Sequence, residues 1–372
     1  MRVLQISNYY YPHIGGIEQV ARNCSNALRR HEVKVFCFNH EKKNSIDNVD
    51  GVEIIRSGSF IKVDSQSLSF SYGKMLRKTV REFNPDCIIF HFPNPFAAHY
   101  LLKILKKNPE IKLIVYWHLD ITKQKILGKL FNGQTKALLK SAERVIATSP
   151  NYLEGSKYLS RYKDKCVIIP NCVSAERAFC SGCAAECAEI RKEYEGKIIC
   201  FALGRHIPYK GMEYLVRASK LLDDRFVVLI GGQGDLTQSL KDLAKDDGKV
   251  RFLGRLEEKY VNAYIQSCDI FCFPSITKNE AFGIALAEAM SFGKPSVTFT
   301  IHGSGVNYVS LNGVTGIEVE NRNVEKYAQA IIALAENVDL REQYGKAAKL
   351  RVKELFTNER FDENIKKLIA DL

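Results

Sequence analysis

The stretch Asn279-Glu280-Ala281-Phe282-Gly283-Ile284-Ala285-Leu286-Ala287-Glu288-Ala289-Met290, continuing as Ser291-Phe292-Gly293-Lys294-Pro295, decides how this chain is read. The apolar run Ile270-Phe271-Cys272-Phe273 before it reads as a buried strand, which Pro274 ends. Residues 282–292 are small or good helix formers, and Gly293 followed by Pro295 is a stop signal. The spacing therefore predicts a helix from Phe282 to Phe292. Glu280 falls on the loop leading into it, and Glu288 about two turns further along. Unpaired N–H groups at a helix start, with no side chain on Gly283 to shield them, make an anion site. Two carboxylates thus flank a place suited to a phosphate. Taken alone, the spacing is better explained by a helix cap at Glu280 and a solvated Glu288.

A second stretch shifts that balance. Ile198-Ile199-Cys200-Phe201-Ala202-Leu203 reads as a strand that runs into Gly204-Arg205, then Lys210-Gly211, then a helix. An arginine clamps two phosphate oxygens and a lysine adds a point charge, so this loop suits a diphosphate. Together, Gly-Arg…Lys-Gly and Glu-x7-Glu resemble the signature of retaining glycosyltransferases of the GT-B fold, family GT4 (glycosyltransferase group 1). The resemblance covers nearly the whole chain, specifically in the second half and more loosely in the first. It implies an α/β protein of two Rossmann-like, doubly wound domains facing across a cleft. By that resemblance Glu280 meets the donor sugar, Glu288 the ribose hydroxyls, and Arg205 and Lys210 hold the donor diphosphate and stabilise the leaving group. The N–H groups around Phe282, Gly283 and Ile284 assist them, and the turn carrying Arg255 and Leu256 reads the base through backbone groups.

The first half opens with a short strand, Val3 to Ser7, a loop holding Gly15-Gly16, and a helix, which is the opening unit of a doubly wound domain. The glycine pair allows a tight turn and close approach of a ligand. In the family the same position approaches the donor diphosphate or the acceptor. Further short apolar runs at 33–38, 52–55, 87–90, 113–117, 145–148 and 167–170 alternate with helical patterns and argue for a parallel sheet. His91 and His118 sit at the C-terminal ends of two of these strands, where open α/β sheets form their ligand crevice. The resemblance places His118 against the donor sugar near its reacting end. His91 either faces the same crevice, on the acceptor side, or is a turn residue. Asp120 either orients His118 or touches the acceptor, and no spacing rule decides between them.

At 372 residues the chain is long enough for two ordinary domains. The expected division is an acceptor domain at 1–173, a linker at 174–195, a donor domain at 196–356, and a last helix at 357–372 that packs back on the first domain. Composition is globular, with no apolar run approaching a membrane span. The start of the chain is too short and too early for a secretory signal, and eleven cysteines without one point to reduced thiols in the cytosol. Cys180, Cys183 and Cys187 hint at a metal, but no fourth ligand lies at zinc spacing, so a metal-free helix or linker is expected.

The net charge of +12 is lopsided: residues 1–185 hold 28 Lys and Arg against 15 Asp and Glu, whereas the remainder is nearly neutral. Between 122 and 144, Lys125, Lys129, Lys136 and Lys140 fall on one helical stripe, with Leu127, Leu130, Phe131, Leu138 and Ala142 opposite. That pattern suits an anionic membrane surface. Nucleic acid is a poorer fit, because aromatics do not interleave with the basic residues.

These features together predict a metal-independent hexosyltransferase, cytoplasmic and peripheral on the membrane. It would take a nucleotide-diphosphate sugar as donor and a lipid-linked or glycan acceptor. No Asp-x-Asp occurs, so the usual metal motif of the other main glycosyltransferase fold is missing. A nucleotide-sugar epimerase and a non-catalytic sugar-nucleotide binder on the same scaffold are the competing readings.

Overall fold

The structure, a computed structural model, describes residues 1–13, 15–63, 66–121, 127–173 and 182–372. The chain divides into two compact units, Met1–Pro170 with Glu359–Leu372, and Asn171–Asn358.

The first unit is built on an eight-stranded sheet in the order β10-β9-β8-β7-β1-β2-β4-β3. Its strands are β1 (Arg2–Ile6), β2 (Glu32–Phe38), β3 (Ser45–Val49), β4 (Val52–Ser57), β7 (Cys87–Phe92), β8 (Lys112–Trp117), β9 (Arg144–Ala147) and β10 (Cys166–Ile168). Every pairing is parallel except β3 with β4. A small antiparallel hairpin, β5 (Ile61–Val63) and β6 (Gln66–Leu68), stands apart. The central strands are mostly apolar and almost wholly buried, as a parallel sheet covered by helices requires, with His91 a polar exception inside β7. β1 lies between β2 and β7, so the winding changes direction there. In open parallel sheets the loops leaving the two strands at such a point commonly form the ligand crevice.

The second unit repeats the plan with six parallel strands in the order β13-β12-β11-β14-β15-β16. They are β11 (Ile198–Leu203), β12 (Phe226–Gly231), β13 (Val250–Gly254), β14 (Ile270–Phe273), β15 (Ser296–Phe299) and β16 (Gly316–Val319). Here the change of direction falls between β11 and β14. The loops after these two strands carry the Gly-Arg…Lys-Gly and two-glutamate stretches.

Three expectations need adjustment. The antiparallel strands β3, β5 and β6 were not foreseen, because they are short and β3 is polar and largely exposed. The segment expected to be a linker is, from residue 182 onward, part of the second unit. Cys183 and Ile190 lie in its core, and the helix Ala184–Glu193 packs against Glu258–Ser267. The helix expected over 122–144 spans Leu127–Ser141, with residues 122–126 outside the described residues. The last helix, Asn358–Ala370, buries Phe361, Ile365, Leu368 and Ile369, and residues 359–372 group with the first unit.

Candidate active site

In the second unit, β11 gives way to Gly204 and Arg205, a single 3-10 turn at Pro208–Lys210, and the helix Met212–Ser219. Gly211 between them has φ +62, and a Cβ there would fall 2.1 Å from the Pro274 carbonyl oxygen. Only glycine permits that approach, which draws the loop after β11 onto the loop after β14. The Ile276 amide donates to the Tyr209 carbonyl at 3.0 Å across the same seam.

The seam brings Lys210 to Glu280. The Lys210 ammonium donates to Glu280 Oε2, which also accepts from the Ser275 hydroxyl at 3.1 Å. Both side chains are largely enclosed, 14% and 11% exposed. Burial works against the charge on Lys210, but the Glu280 carboxylate outweighs it and holds the ammonium pKa above the ordinary lysine value. Arg205 is exposed on the same loop.

Gly283 stands at φ +94, outside helical space, so the helix runs Ile284–Ser291 rather than from Phe282. No side chain caps it, which leaves its first-turn N–H groups available to an anion. Phe282 itself is buried, edge-on to Phe356 at 5.3 Å, so only its backbone can face a ligand. Glu288 is 4% exposed, which removes the alternative of a solvated helix residue. The Glu280 carbonyl accepts from the Ser304 hydroxyl, and the Ala281 carbonyl from the Gly305 amide at 3.1 Å, so the loop is held from below. On the turn after β13, Arg255 is exposed and Leu256 is half-buried.

In the first unit, Gly15 precedes the helix Gly16–Ala27 with extended backbone (φ −165), so no left-handed turn is the reason for it. A Cβ on Gly15 would meet the flexible carboxylate end of Glu18 at 2.2 Å. His118 is 6% exposed, stacked on Tyr116 at 4.5 Å, and its Nε2 lies 3.0 Å from Nδ1 of His91. His91 is fully buried inside β7, its Nε2 at 2.9 Å from Gln5 Oε1. With both nitrogens engaged, His91 stands behind His118 rather than on an acceptor surface. Burial pushes its pKa down to about 3, and burial with His91 alongside pushes His118 well below the usual histidine range. Asp120 is buried too, accepting from the Trp117 indole N–H at 3.0 Å and the Ser156 hydroxyl at 2.7 Å. Its backbone N–H donates to the Tyr152 hydroxyl at 2.7 Å. These bonds knit the loop after β8 and give Asp120 a structural task.

Two family models match the chain in tandem: Glycosyltransferase Family 4 over residues 14–177 and Glycosyl transferases group 1 over residues 186–351. The O-antigen chain mannosyltransferase C of Escherichia coli is 30% identical over 364 residues, 96% of this chain and 95% of the relative. The chain belongs to glycosyltransferase family 4. The D-rhamnosyltransferase WbpZ of Pseudomonas aeruginosa is also 30% identical, over 96% of this glycosyltransferase and 92% of its own length. Among solved structures, sucrose-phosphate synthase of Thermosynechococcus elongatus superposes with a TM-score of 0.84 at 18% identity, covering 100% of this chain and 98% of that one. That likeness gives the glycosyltransferase the GT-B fold, two Rossmann-like domains with parallel sheets.

Each unit also holds residues that the sequence reading passed over. Ser275 and Ser304 fasten Glu280, and Ser275 stands where the strand-end rule would have found it, just past β14. Arg56, buried in β4, donates to the carbonyls of Tyr10 and Tyr11 and pairs with Asp47, so it clamps the loop before Gly15. No local motif marks such a lone arginine. Lys136 and Lys140 are exposed on the helix Leu127–Ser141, whereas Leu138 and Ala142 are buried as the periodicity required. Lys125 lies outside the described residues, as does the Lys129 side chain, and so does Cys180. Among the described residues no cluster of His, Cys, Asp and Glu is arranged to hold a metal, and no helix is long and apolar enough to cross a membrane.

Proposed function

We propose that this glycosyltransferase moves a hexose, with retention at the anomeric carbon, from a nucleotide-diphosphate sugar to a lipid-linked or polysaccharide acceptor of the cell envelope. The observation that carries the reading is the Lys210–Glu280 pair beside exposed Arg205 and an uncapped helix start. That set supplies two cations and several N–H donors for a departing diphosphate, and a carboxylate for the sugar. The bond between the anomeric carbon and the diphosphate oxygen breaks as the acceptor hydroxyl attacks from the same face. The hydroxyl proton passes to the departing phosphate oxygen. Arg205 and Lys210 carry the charge that a metal ion would otherwise neutralise, and Glu288 takes the ribose. Retention without a carboxylate on the far face sets this route apart from a double displacement. The mannosyl and rhamnosyl relatives favour a manno-configured hexose, and the O-antigen chain in the name of the first favours a surface glycan.

The test is a panel of UDP-, GDP-, ADP- and dTDP-sugars, scored for slow donor hydrolysis without acceptor and with EDTA present. Release of nucleotide from one donor, lost in Glu280→Ala and Lys210→Ala, is the expected outcome. Release from none, with no binding by calorimetry, removes the transferase reading.

A further inference from the structure

A line of hydrogen bonds crosses the first unit from the helix Gly16–Ala27 to His118, and its links fit one consistent direction. The Ser25 hydroxyl donates its single proton to the Ala21 carbonyl at 3.2 Å. It therefore accepts from Gln5 Nε2 at 2.7 Å and from the Tyr10 hydroxyl at 3.0 Å. With its NH2 group spent on Ser25, Gln5 turns its carbonyl Oε1 to His91. A carbonyl only accepts, so His91 Nε2 carries the proton. Gln5, Ser25, Tyr10 and His91 are all essentially without solvent exposure, which favours a neutral ring at His91. A neutral His91 protonated on Nε2 offers a bare Nδ1. The 3.0 Å contact to His118 is then an N–H donated by His118 Nε2, and the ring planes, 13° apart, suit an in-plane bond. His118, also neutral, is left with a bare Nδ1.

We infer that Gln5, acting through His91, fixes the tautomer of His118, so that His118 meets its sugar as a hydrogen-bond acceptor. The ligand class follows from the lone pair. A bare imidazole nitrogen takes an O–H from a sugar hydroxyl, and it repels the lone pairs of a phosphate oxygen. His118 therefore reads a hydroxyl rather than a phosphate. Gln5 and His91 are positioning residues. The tautomer assignment is independent of the transferase reading; the sugar contact and the consequence for turnover rest on it.

The primary test is the ring nitrogen spectrum of the full-length protein labelled with 15N-histidine, at neutral pH without donor. The signals are assigned with His91→Asn and His118→Asn. Nε2–H on both rings is expected, and Nδ1–H on His118 would overturn the inference. Gln5→Leu removes the acceptor from His91. It should release the constraint, populate Nδ1–H on His118 and lower kcat tenfold or more at little change in donor KM. Gln5→Glu, which still presents an oxygen to His91, should restore the His118 tautomer. If Gln5→Leu does not fold, Ser25→Ala serves instead, because it frees the Gln5 amide to turn over and should yield two His118 tautomers. A variant that loses thermal stability while His118 keeps a single Nε2–H form would assign the line to packing alone. A donor-hydrolysis failure in wild type with the expected spectrum would sink the transferase reading and leave the tautomer standing.

Discussion

Lys210 and Glu280 hold each other's charge in a place where neither would be comfortable alone. Burial lowers a lysine pKa, and the adjacent carboxylate raises this one above its ordinary value. A raised pKa means that the Lys210 charge, facing an ionised carboxylate, adds stability below the ordinary lysine pKa, about 10.4, and that this is lost as pH climbs through the folded value. Glu280→Gln keeps the shape and removes the charge, leaving burial unopposed. The alkaline limb of donor binding, followed by calorimetry against pH, should then move to lower pH; an unmoved limb would separate Lys210 from Glu280. Gly211 makes the pairing possible. Gly211→Ala puts a methyl group against the Pro274 carbonyl at a positive φ, and should cost about 1–3 kcal/mol in a urea titration. Diphosphate affinity should fall with it, because the two loops part. Gly-Arg, Lys-Gly and the two glutamates stood out in the sequence only when read together, because each is a local pattern with an ordinary structural explanation of its own. Ser275, Ser304, Gln5 and Arg56 did not, because each acts only through a partner distant in the chain.

At the scale of elements, the parallel strands were readable because burial on both faces makes them continuous apolar runs, as in Ile270–Phe273 and Phe226–Gly231. The edge pair β3–β4 was half hidden, since Ser45–Val49 carries no such run. That edge is tied to the opening loop by Arg56, whose guanidinium spans Asp47 and the carbonyls of Tyr10 and Tyr11. Arg56→Met leaves those carbonyls and Asp47 without it. The expected result is a loss of about 1–3 kcal/mol and faster proteolytic cleavage near residues 11–16, with the rest of the unit still protected. Uniform cleavage throughout the unit would mean that the arginine supports the whole sheet and not the loop. His91 shows the reverse kind of illegibility. Its position at a strand end drew it toward the acceptor, yet its side chain points into the polar interior that Gln5 occupies.

For the whole molecule, the excess of basic residues in the first half is a property of sequence that no single contact explains. We propose that this basic half of the chain faces an anionic bilayer. Vesicles containing anionic lipid should retain the protein at low salt and release it as salt rises past the physiological range. Lys136→Glu with Lys140→Glu should weaken retention several-fold while donor hydrolysis is unchanged. No retention at any salt would end the membrane assignment. The two-unit plan was legible from the alternation of strands and helices. The return of residues 359–372 to the first unit was foreseen only from family resemblance, since a terminal amphipathic helix names no partner.

The chain has one tryptophan, Trp117, and it is next to His118. Its indole is fully buried, stacked on Phe92 at 4.0 Å and bonded to Asp120. All tryptophan emission from this protein therefore originates beside the ring whose proton Gln5 controls. The molecule carries its own optical reporter, and a sugar that seats against His118 should be visible by fluorescence without any label.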